Sequence, residues 1–339
     1  MNETLTLILE IIFWSALFMV FYTYLGYGIV LYALVKLKEL FVKPVKRVLP
    51  PDSDLPEVTL FITAFNEEDV VDEKMENSLA LDYPADKLRI VWVTDGSDDG
   101  TNDRLQTRWN GKATVYFQPK RQGKTAAMTR GMTLVRTPLV VFTDANTMVN
   151  SEAIHEIVLA FQNPKVGCVA GEKRIAVQTK DGAAAGGEGI YWKYESTLKA
   201  LDSRLYSAVG AAGGLQSIWR LRPLLNPFHY GILSFQYTSH RVLRWSVTPF
   251  LLFALLPLNI VVLLLGESPL FYGTLLGLQI LFYGMGYWGY YLSTRQIKNK
   301  VLFIPYYFLF MNVNVLKGIG YLKRKKGSGA WEKAKRAEK

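Results

Sequence analysis

The 339-residue chain has a single cysteine, Cys168, so it can form no internal disulfide and build no multi-cysteine zinc site. Its three histidines, His155, His229 and His240, are too scattered in sequence to suggest a metal cluster. No G-x-G-x-x-G follows the first strand-like run and no G-x-x-x-x-G-K-[ST] occurs, which argues against dinucleotide and P-loop sites. Charge is missing from long stretches. Leu5 to Val35 carries one charge, Glu10; Val247 to Leu265 and Pro269 to Leu292 carry none, and Glu267 alone stands between them. A further uncharged run, Val301 to Leu316, is shorter and contains Pro305. A spanning helix needs roughly 20 apolar residues. The first run is too long for a signal peptide and has no basic lead-in. These runs therefore read as membrane helices.

Basic residues crowd the ends of those runs: Lys36, Lys38, Lys43, Lys46 and Arg47, then Arg295, Lys298 and Lys300, then Lys323 to Lys326. Basic loops stay cytoplasmic. On that rule the amino terminus faces out, the middle region is cytosolic, and the run from Val301 is a re-entrant or interfacial helix. Three full spans are then expected; four would place the basic tail outside. The net charge of +10 could suggest nucleic acid, but the excess sits beside membrane segments, where it meets anionic lipid. No nucleic-acid partner is expected. The protein reads as integral to a cell (inner) membrane.

Between the greasy ends, three acidic segments each close a strand-like run: VTLFITAFNEE (Val58 to Glu68), RIVWVTDGSDDGT (Arg89 to Thr101) and LVVFTDAN (Leu139 to Asn146). A parallel sheet places ligand-binding groups at its carboxyl edge in this way. Strands are predicted at Val58 to Ala64, Leu88 to Thr94, Thr114 to Phe117 and Pro138 to Thr143. Helices are predicted at Glu68 to Leu79, at Lys124 to Val135, and after an Asn150-Ser151 cap, where Ala153, Ile154, Ile157, Val158 and Phe161 share a face. Strands alternating with helices mean parallel βαβ units and an α/β fold. Cys168, on the strand-like run Val166 to Ala170, reads as a buried inert thiol, and Gly182 to Gly189 as a mobile loop.

The chemistry of these loop residues suits a nucleoside diphosphate. A carboxylate such as Asp95 can accept from the imide N–H of uracil. Asp144 and Asn146 can direct two oxygens at one hard cation, and Mg²⁺ or Mn²⁺ there would bridge diphosphate oxygens and neutralise a leaving nucleotide. Lys124 at a helix amino terminus adds a second positive pole. A lone D-x-N is ordinarily a turn. Four such features in order, at successive strand and helix ends, make a candidate site.

The segments T-A-F-N-E-E, D-G-S-D-D-G-T, Q-G-K-T-A-A-M-T-R-G and F-T-D-A-N resemble the donor half of the processive, membrane-bound family 2 glycosyltransferases, among them the cellulose, hyaluronan and poly-N-acetylglucosamine synthases. The resemblance implies a GT-A-like (Rossmann-like), mostly parallel sheet flanked by transmembrane helices. It also implies a UDP-sugar donor, a divalent metal and a glycan or lipid-linked acceptor. By position, Ala64, Asn66 and Glu67 would frame the nucleoside and Asp95 would bind uracil. Lys124 would lie near the nucleotide, with Asp144 and Asn146 at the D-x-D positions. The implied organisation is a transmembrane helix over 1–36, a basic linker over 37–56 and a cytosolic transferase domain over 57–215. An interfacial segment (216–246), membrane helices (247–318) and a basic tail (319–339) would follow.

Such enzymes continue into an acceptor-side E-D or D-D motif and a Q-x-x-R-W motif. From Ile175 to Ser246 the acidic residues are Asp181, Glu188, Glu195 and Asp202, none adjacent to another. Arg241-Val242-Leu243-Arg244-Trp245 has the spacing of the second motif with Arg in place of Gln, and reads more simply as a basic, aromatic membrane anchor. The text around Ser207 to Gln216 runs as if several tens of residues were missing. Glu195 is the weak candidate for a general base, and its simpler reading is a solvated carboxylate paired with Lys199 one turn on. Two readings follow: a membrane-bound transferase extending a polysaccharide or glycolipid at the cytosolic face, or a shortened, weakly active or silent form that binds nucleotide or serves a protein partner. A transporter is a weaker third, since the spans carry no buried charge.

Overall fold

The apolar run that opens the chain becomes a helical rod of 39 residues in the computed structural model. It comprises α1 (Glu3–Phe21), a π-helical turn (Tyr22–Gly26) and α2 (Tyr27–Phe41). The structure describes residues 3–43, 47–172, 183–209, 215–295, 297 and 299–324. Contacts divide the chain into an α/β unit, Val45–Val169, and a helical unit that combines Met1–Pro44 with Ala170–Lys326.

In the α/β unit, β1 (Val58–Ala64), α3 (Glu68–Leu79), β2 (Leu88–Asp95), α4 (Thr101–Arg108), β3 (Thr114–Gln118), α5 (Lys124–Met132), β4 (Leu139–Asp144) and α6 (Ala153–Phe161) follow in turn. All four strands are parallel, in the order β3-β2-β1-β4. Alternation along β1 and β2 sends Leu60, Ile62 and Trp92 to one face, against Val71, Met75, Leu105 and Ile154 from the helices. The opposite face buries Phe61, Val91 and Val93 under Ala127 of α5. Trp92 is fully buried, and truncation of such a side chain costs roughly 3–5 kcal/mol. Helix α5 approaches the sheet at Gly131, where an added Cβ would fall 2.3 Å from Phe61 Cζ.

Some details depart from the sequence reading. Helix α4 was not foreseen, because its eight residues, TNDRLQTR, bury little beyond Leu105. Helix α6 begins at Ala153 without a side-chain cap from Asn150 or Ser151. Val166 to Ala170 forms no strand, and Cys168 is exposed rather than buried. A short run becomes a strand only where it finds a strand to pair with, and neither edge of the sheet, β3 or β4, takes this one up.

In the helical unit, α7 (Ala183–Leu205) is followed by α8 (Leu215–Arg220), α9 (Pro227–Tyr230) and α10 (Ile232–Tyr237). A π-helical stretch (Thr238–Val247), α11 (Thr248–Leu265), α12 (Pro269–Thr294) and α13 (Lys300–Arg324) complete it. Residues 183–189, expected as a loop, form the first turns of α7. Phe13 and Ala16 of α1 pack against Leu255, Val262 and Tyr272, while Tyr27, Leu31 and Val35 of α2 pack on Leu198, Leu201 and Leu205 of α7. Helix α7 packs within the helical unit, and the α/β unit ends at Val169.

Among the described residues, three stretches are long and apolar enough to cross a bilayer: Glu3–Phe41, Ile232–Leu265 and Val301–Tyr321; the run Pro269 to Leu292, expected as a span, forms α12 and is not one of them. The stretch from Val301 was expected to be too short and broken. Pro305 falls within the first two turns of the 25-residue α13, where it removes one ladder bond without ending the helix. Close packing of α12 on α13 depends on Gly289, where a Cβ would meet the Leu302 carbonyl at 2.4 Å.

Candidate active site

The strand order makes β1 and β4 neighbours whose connections leave in opposite directions, and open α/β sheets bind their ligands at such a switch point, outside the carboxyl ends of the strands. Register carries the predicted residues to this edge. Ala64 pairs with Thr94, so Asp95 stands one residue beyond it, and Thr63 pairs with Asp144. Ala64, Asn66, Glu67, Asp95, Lys124, Asp144 and Asn146 thus share one end of one sheet.

Cross-loop hydrogen bonds shape the crevice. Asn66 adopts a left-handed conformation (φ 55°), which asparagine tolerates better than most residues. Its Nδ2 donates to Asp98 Oδ1 at 2.6 Å, and the Asp98 N–H returns to Asn66 Oδ1 at 3.0 Å. The Glu67 N–H donates to Thr101 Oγ1 at 2.9 Å and the Glu68 N–H to Asp99 Oδ2 at 3.2 Å. Asp98 and Asp99 therefore staple the loop after β2 to the loop after β1. Asp95, 4% exposed, accepts the Gln122 and Gly123 N–H groups on Oδ2 at 2.9 and 2.6 Å. Its Oδ1 lies 3.5 Å from Arg130 Nη1. One carboxylate thus sets the turn that starts α5, with Gly123 at φ 94° and Lys124 as the first helical residue.

Lys124 reaches Asp144, and the two half-exposed side chains form an ion pair. An ammonium on Asp144 marks the place where a cation is favoured. Asp144 and Asn146 are exposed and separated by buried Ala145, so both side chains leave the same side of the strand end. No group of three or more His, Cys, Asp or Glu forms a metal cluster among the described residues. A carboxylate and an amide oxygen suit a hard cation whose remaining positions are filled by diphosphate and water. The residues present fit Mg²⁺ or Mn²⁺ on those terms.

Sequence reasoning missed two features here. The Arg121 guanidinium lies 3.8 Å over the Phe65 ring, a pairing that only the fold reveals. Lys74 on α3 is fully buried and donates to Thr143 Oγ1 at 3.1 Å and to the Thr147 carbonyl. Its place on the inward stripe Val71-Lys74-Met75-Ser78 was a legible signal.

Residues 59–216 match the model described as glycosyl transferase family 2. Over that stretch, a little under half of the chain, the protein is similar to glycosyl transferase family 2. Poly-beta-1,6-N-acetyl-D-glucosamine synthase of Staphylococcus aureus is 29% identical over 130 residues, 37% of this chain and 31% of that one. The probable glycosyltransferase YdaM of Bacillus subtilis is 30% identical over 128 residues, 36% of this chain and 30% of that one. The matched part therefore spans under a third of these relatives' length. Among solved structures, the mannosyltransferase PcManGT of Pyrobaculum calidifontis, in complex with GDP-Man and Mn²⁺, superposes with a TM-score of 0.55 at 18% identity. That match covers 94% of this chain and 100% of that one, and it establishes a shared GT-A-like fold.

The family 2 match reaches past α7, where Glu195 stands. The solvated pairing of Glu195 with Lys199 does not hold. Glu195 is 3% exposed, with Arg244 Nη1 at 2.7 Å, Arg241 Nη2 at 3.4 Å and His240 Nε2 at 3.3 Å. Two turns along α7, Asp202 receives His240 Nδ1 at 2.6 Å, Gln236 Nε2 at 3.0 Å and the Tyr27 hydroxyl. Burial raises the Glu195 carboxyl, but the hydrogen bond from His240 and the charges of His240, Arg244 and Arg241 outweigh it and hold the group down to about 2. Arg244, read from sequence as part of a membrane anchor, is itself buried. Spacing carried the signal: Glu195 and Asp202 are seven apart on α7, and His240 and Arg244 four apart on the π-helical stretch. Asp181 lies outside the described residues.

Proposed function

We propose that the protein is an integral-membrane glycosyltransferase that takes a sugar from a UDP-sugar and transfers it to a polysaccharide or glycolipid acceptor at the cytosolic face of the cell membrane. The observation that carries this reading is the ion pair of Lys124 with Asp144, two residues before the exposed Asn146, at the switch-point edge of the sheet. In this reading Ala64, Asn66 and Glu67 frame the nucleoside, and Asp95 Oδ1 accepts from the uracil imide. Asp144 and Asn146 would hold Mg²⁺ or Mn²⁺, which when bound offsets the charge of the diphosphate. Lys124 would leave Asp144 for a phosphate oxygen. The basic residues beside the spans support the cytosolic placement of the α/β unit.

A second reading is favoured by Glu195. A general base works best with a pKa near the operating pH, and a buried carboxyl held at about 2 by basic neighbours is a poor one. General-base catalysis contributes on the order of 10²–10⁴-fold. We therefore expect this chain to bind UDP with metal and to transfer sugar slowly, with donor hydrolysis the easier activity to detect, or to act with a protein partner.

The test is calorimetric UDP binding to detergent-purified protein with and without Mn²⁺, alongside release of UDP from candidate UDP-sugars. Metal-dependent binding is expected. Asp144→Ala should abolish the metal dependence, and Asn146→Asp should keep or strengthen it by adding a charge. Equal metal dependence in wild type and Asp144→Ala would overturn the donor-site reading. Robust polymer synthesis by the purified chain would overturn the slow-transfer reading alone.

A further inference from the structure

One buried charge in the α/β unit has no part in the function proposed above. Lysine is almost never fully buried unless paired, yet Lys74 on α3 is 0% exposed. Its ammonium donates to Thr143 Oγ1 at 3.1 Å and to the Thr147 carbonyl. Thr143 immediately precedes Asp144, and Thr147 immediately follows Asn146. The two contacts therefore straddle the D-x-N.

One helical step further along, Asn77 continues the grip. Its Nδ2 donates to the Val149 carbonyl at 2.8 Å, and the Val149 N–H returns to its Oδ1 at 2.9 Å. The turn is closed from within by the Thr147 N–H on the Asp144 carbonyl at 3.1 Å, and Ala145 is buried beneath it. Residues 143–149 are thus held from the protein interior while Asp144 and Asn146 face outward.

A neutral side chain would be cheaper to bury, so the ammonium needs a reason. A long flexible stem ending in three donors can reach a hydroxyl and a carbonyl on either side of a two-residue step. Burial pushes the Lys74 ammonium down to about 8, with the Asp144 charge acting in the opposite direction.

We propose that Lys74, with Asn77 as its partner, is a positioning residue for a divalent-cation site, setting the backbone on both sides of Asp144 and Asn146 so that their oxygens meet at one ion. This inference rests on the assignment of the cation to Asp144 and Asn146. Groups that orient metal ligands from outside the coordination sphere typically contribute 10–100-fold in metal affinity.

The experiment measures Mn²⁺ affinity of the full detergent-purified chain in saturating UDP, from loss of the free-ion electron paramagnetic resonance signal, and compares the line shape of the bound ion. Lys74→Met should weaken Mn²⁺ binding 10–100-fold and alter the bound line shape. Asn77→Ala, at a half-buried position, should weaken binding about tenfold. Met75→Ala, which opens the neighbouring core but removes no hydrogen bond to the loop, should lower the melting temperature and leave Mn²⁺ affinity unchanged. Wild-type affinity in folded Lys74→Met, or an equal loss in Met75→Ala, would overturn the proposal. Should Lys74→Met fail to fold, Asn77→Ala decides, since wild-type affinity there would overturn the clamp. Asp144→Ala separates the two levels: unchanged Mn²⁺ binding in that variant overturns the underlying site assignment instead.

Discussion

Replacing Glu195 by Gln separates a structural from a catalytic role for this carboxylate. Glu195 faces three basic groups at 2.7 to 3.4 Å, and the Arg244 side chain is only 6% exposed. Among the described residues Arg244 Nε and Nη2 are buried without a hydrogen-bond partner, so its charge leans on Glu195, with the rings of Tyr24 and Tyr194 at 5.7 and 5.9 Å. Breaking one side of a buried ion pair costs roughly 3–5 kcal/mol, and Gln, which keeps the shape and one acceptor, belongs near 3. For a unit of this size that corresponds to a drop of about 10 °C in melting temperature. Differential scanning fluorimetry in detergent would read it. The double variant Glu195→Gln/Arg244→Met should recover more than half of the loss, because removing both charges is far cheaper than stranding one. The folded Glu195 carboxyl is depressed from 4.5 to about 2, so its contribution is complete above about pH 4.5 and is lost as pH falls toward 2. Glu195→Gln should lack that part of the acid slope. A melting temperature within about 2 °C of wild type would refute the structural role. If sugar transfer also vanished with UDP affinity retained, Glu195 would be the base.

Two further substitutions probe the α/β unit. Asp95→Asn keeps an oxygen for the Gln122 and Gly123 N–H groups but sets an amide against Arg130 in place of Oδ1; it should weaken UDP binding at least tenfold by calorimetry with a smaller loss of stability than Asp95→Ala, which also strands both N–H groups. Wild-type UDP affinity in Asp95→Asn would remove uracil from this residue. Gly131→Val should destabilise the unit by about 2 kcal/mol or more, since its side chain would overlap Phe61 and Val93, and an unchanged melting temperature would contradict the packing of α5 on the sheet.

Periodicity and end-of-strand chemistry determined much from sequence alone. The limits of β1 and α3, the parallel alternation of strands and helices, and the apolar helices follow from local patterns that any fold of this chain must honour. The motifs around Asn66, Asp95, Lys124 and Asp144 were visible because each lies where a strand stops or a helix starts, and such ends are local events. Tertiary structure decided which polar groups are spoken for. Asp98 and Asp99 became loop staples, one oxygen of Asp95 went to backbone N–H groups, and Glu195 moved from a solvated face into a buried network. Val166 to Ala170 passed as a strand. Burial and hydrogen-bond partnership are properties of what packs opposite a residue. The pairing of Glu195 with Arg244 spans 49 positions and that of Lys74 with Thr147 spans 73, beyond the reach of any local pattern.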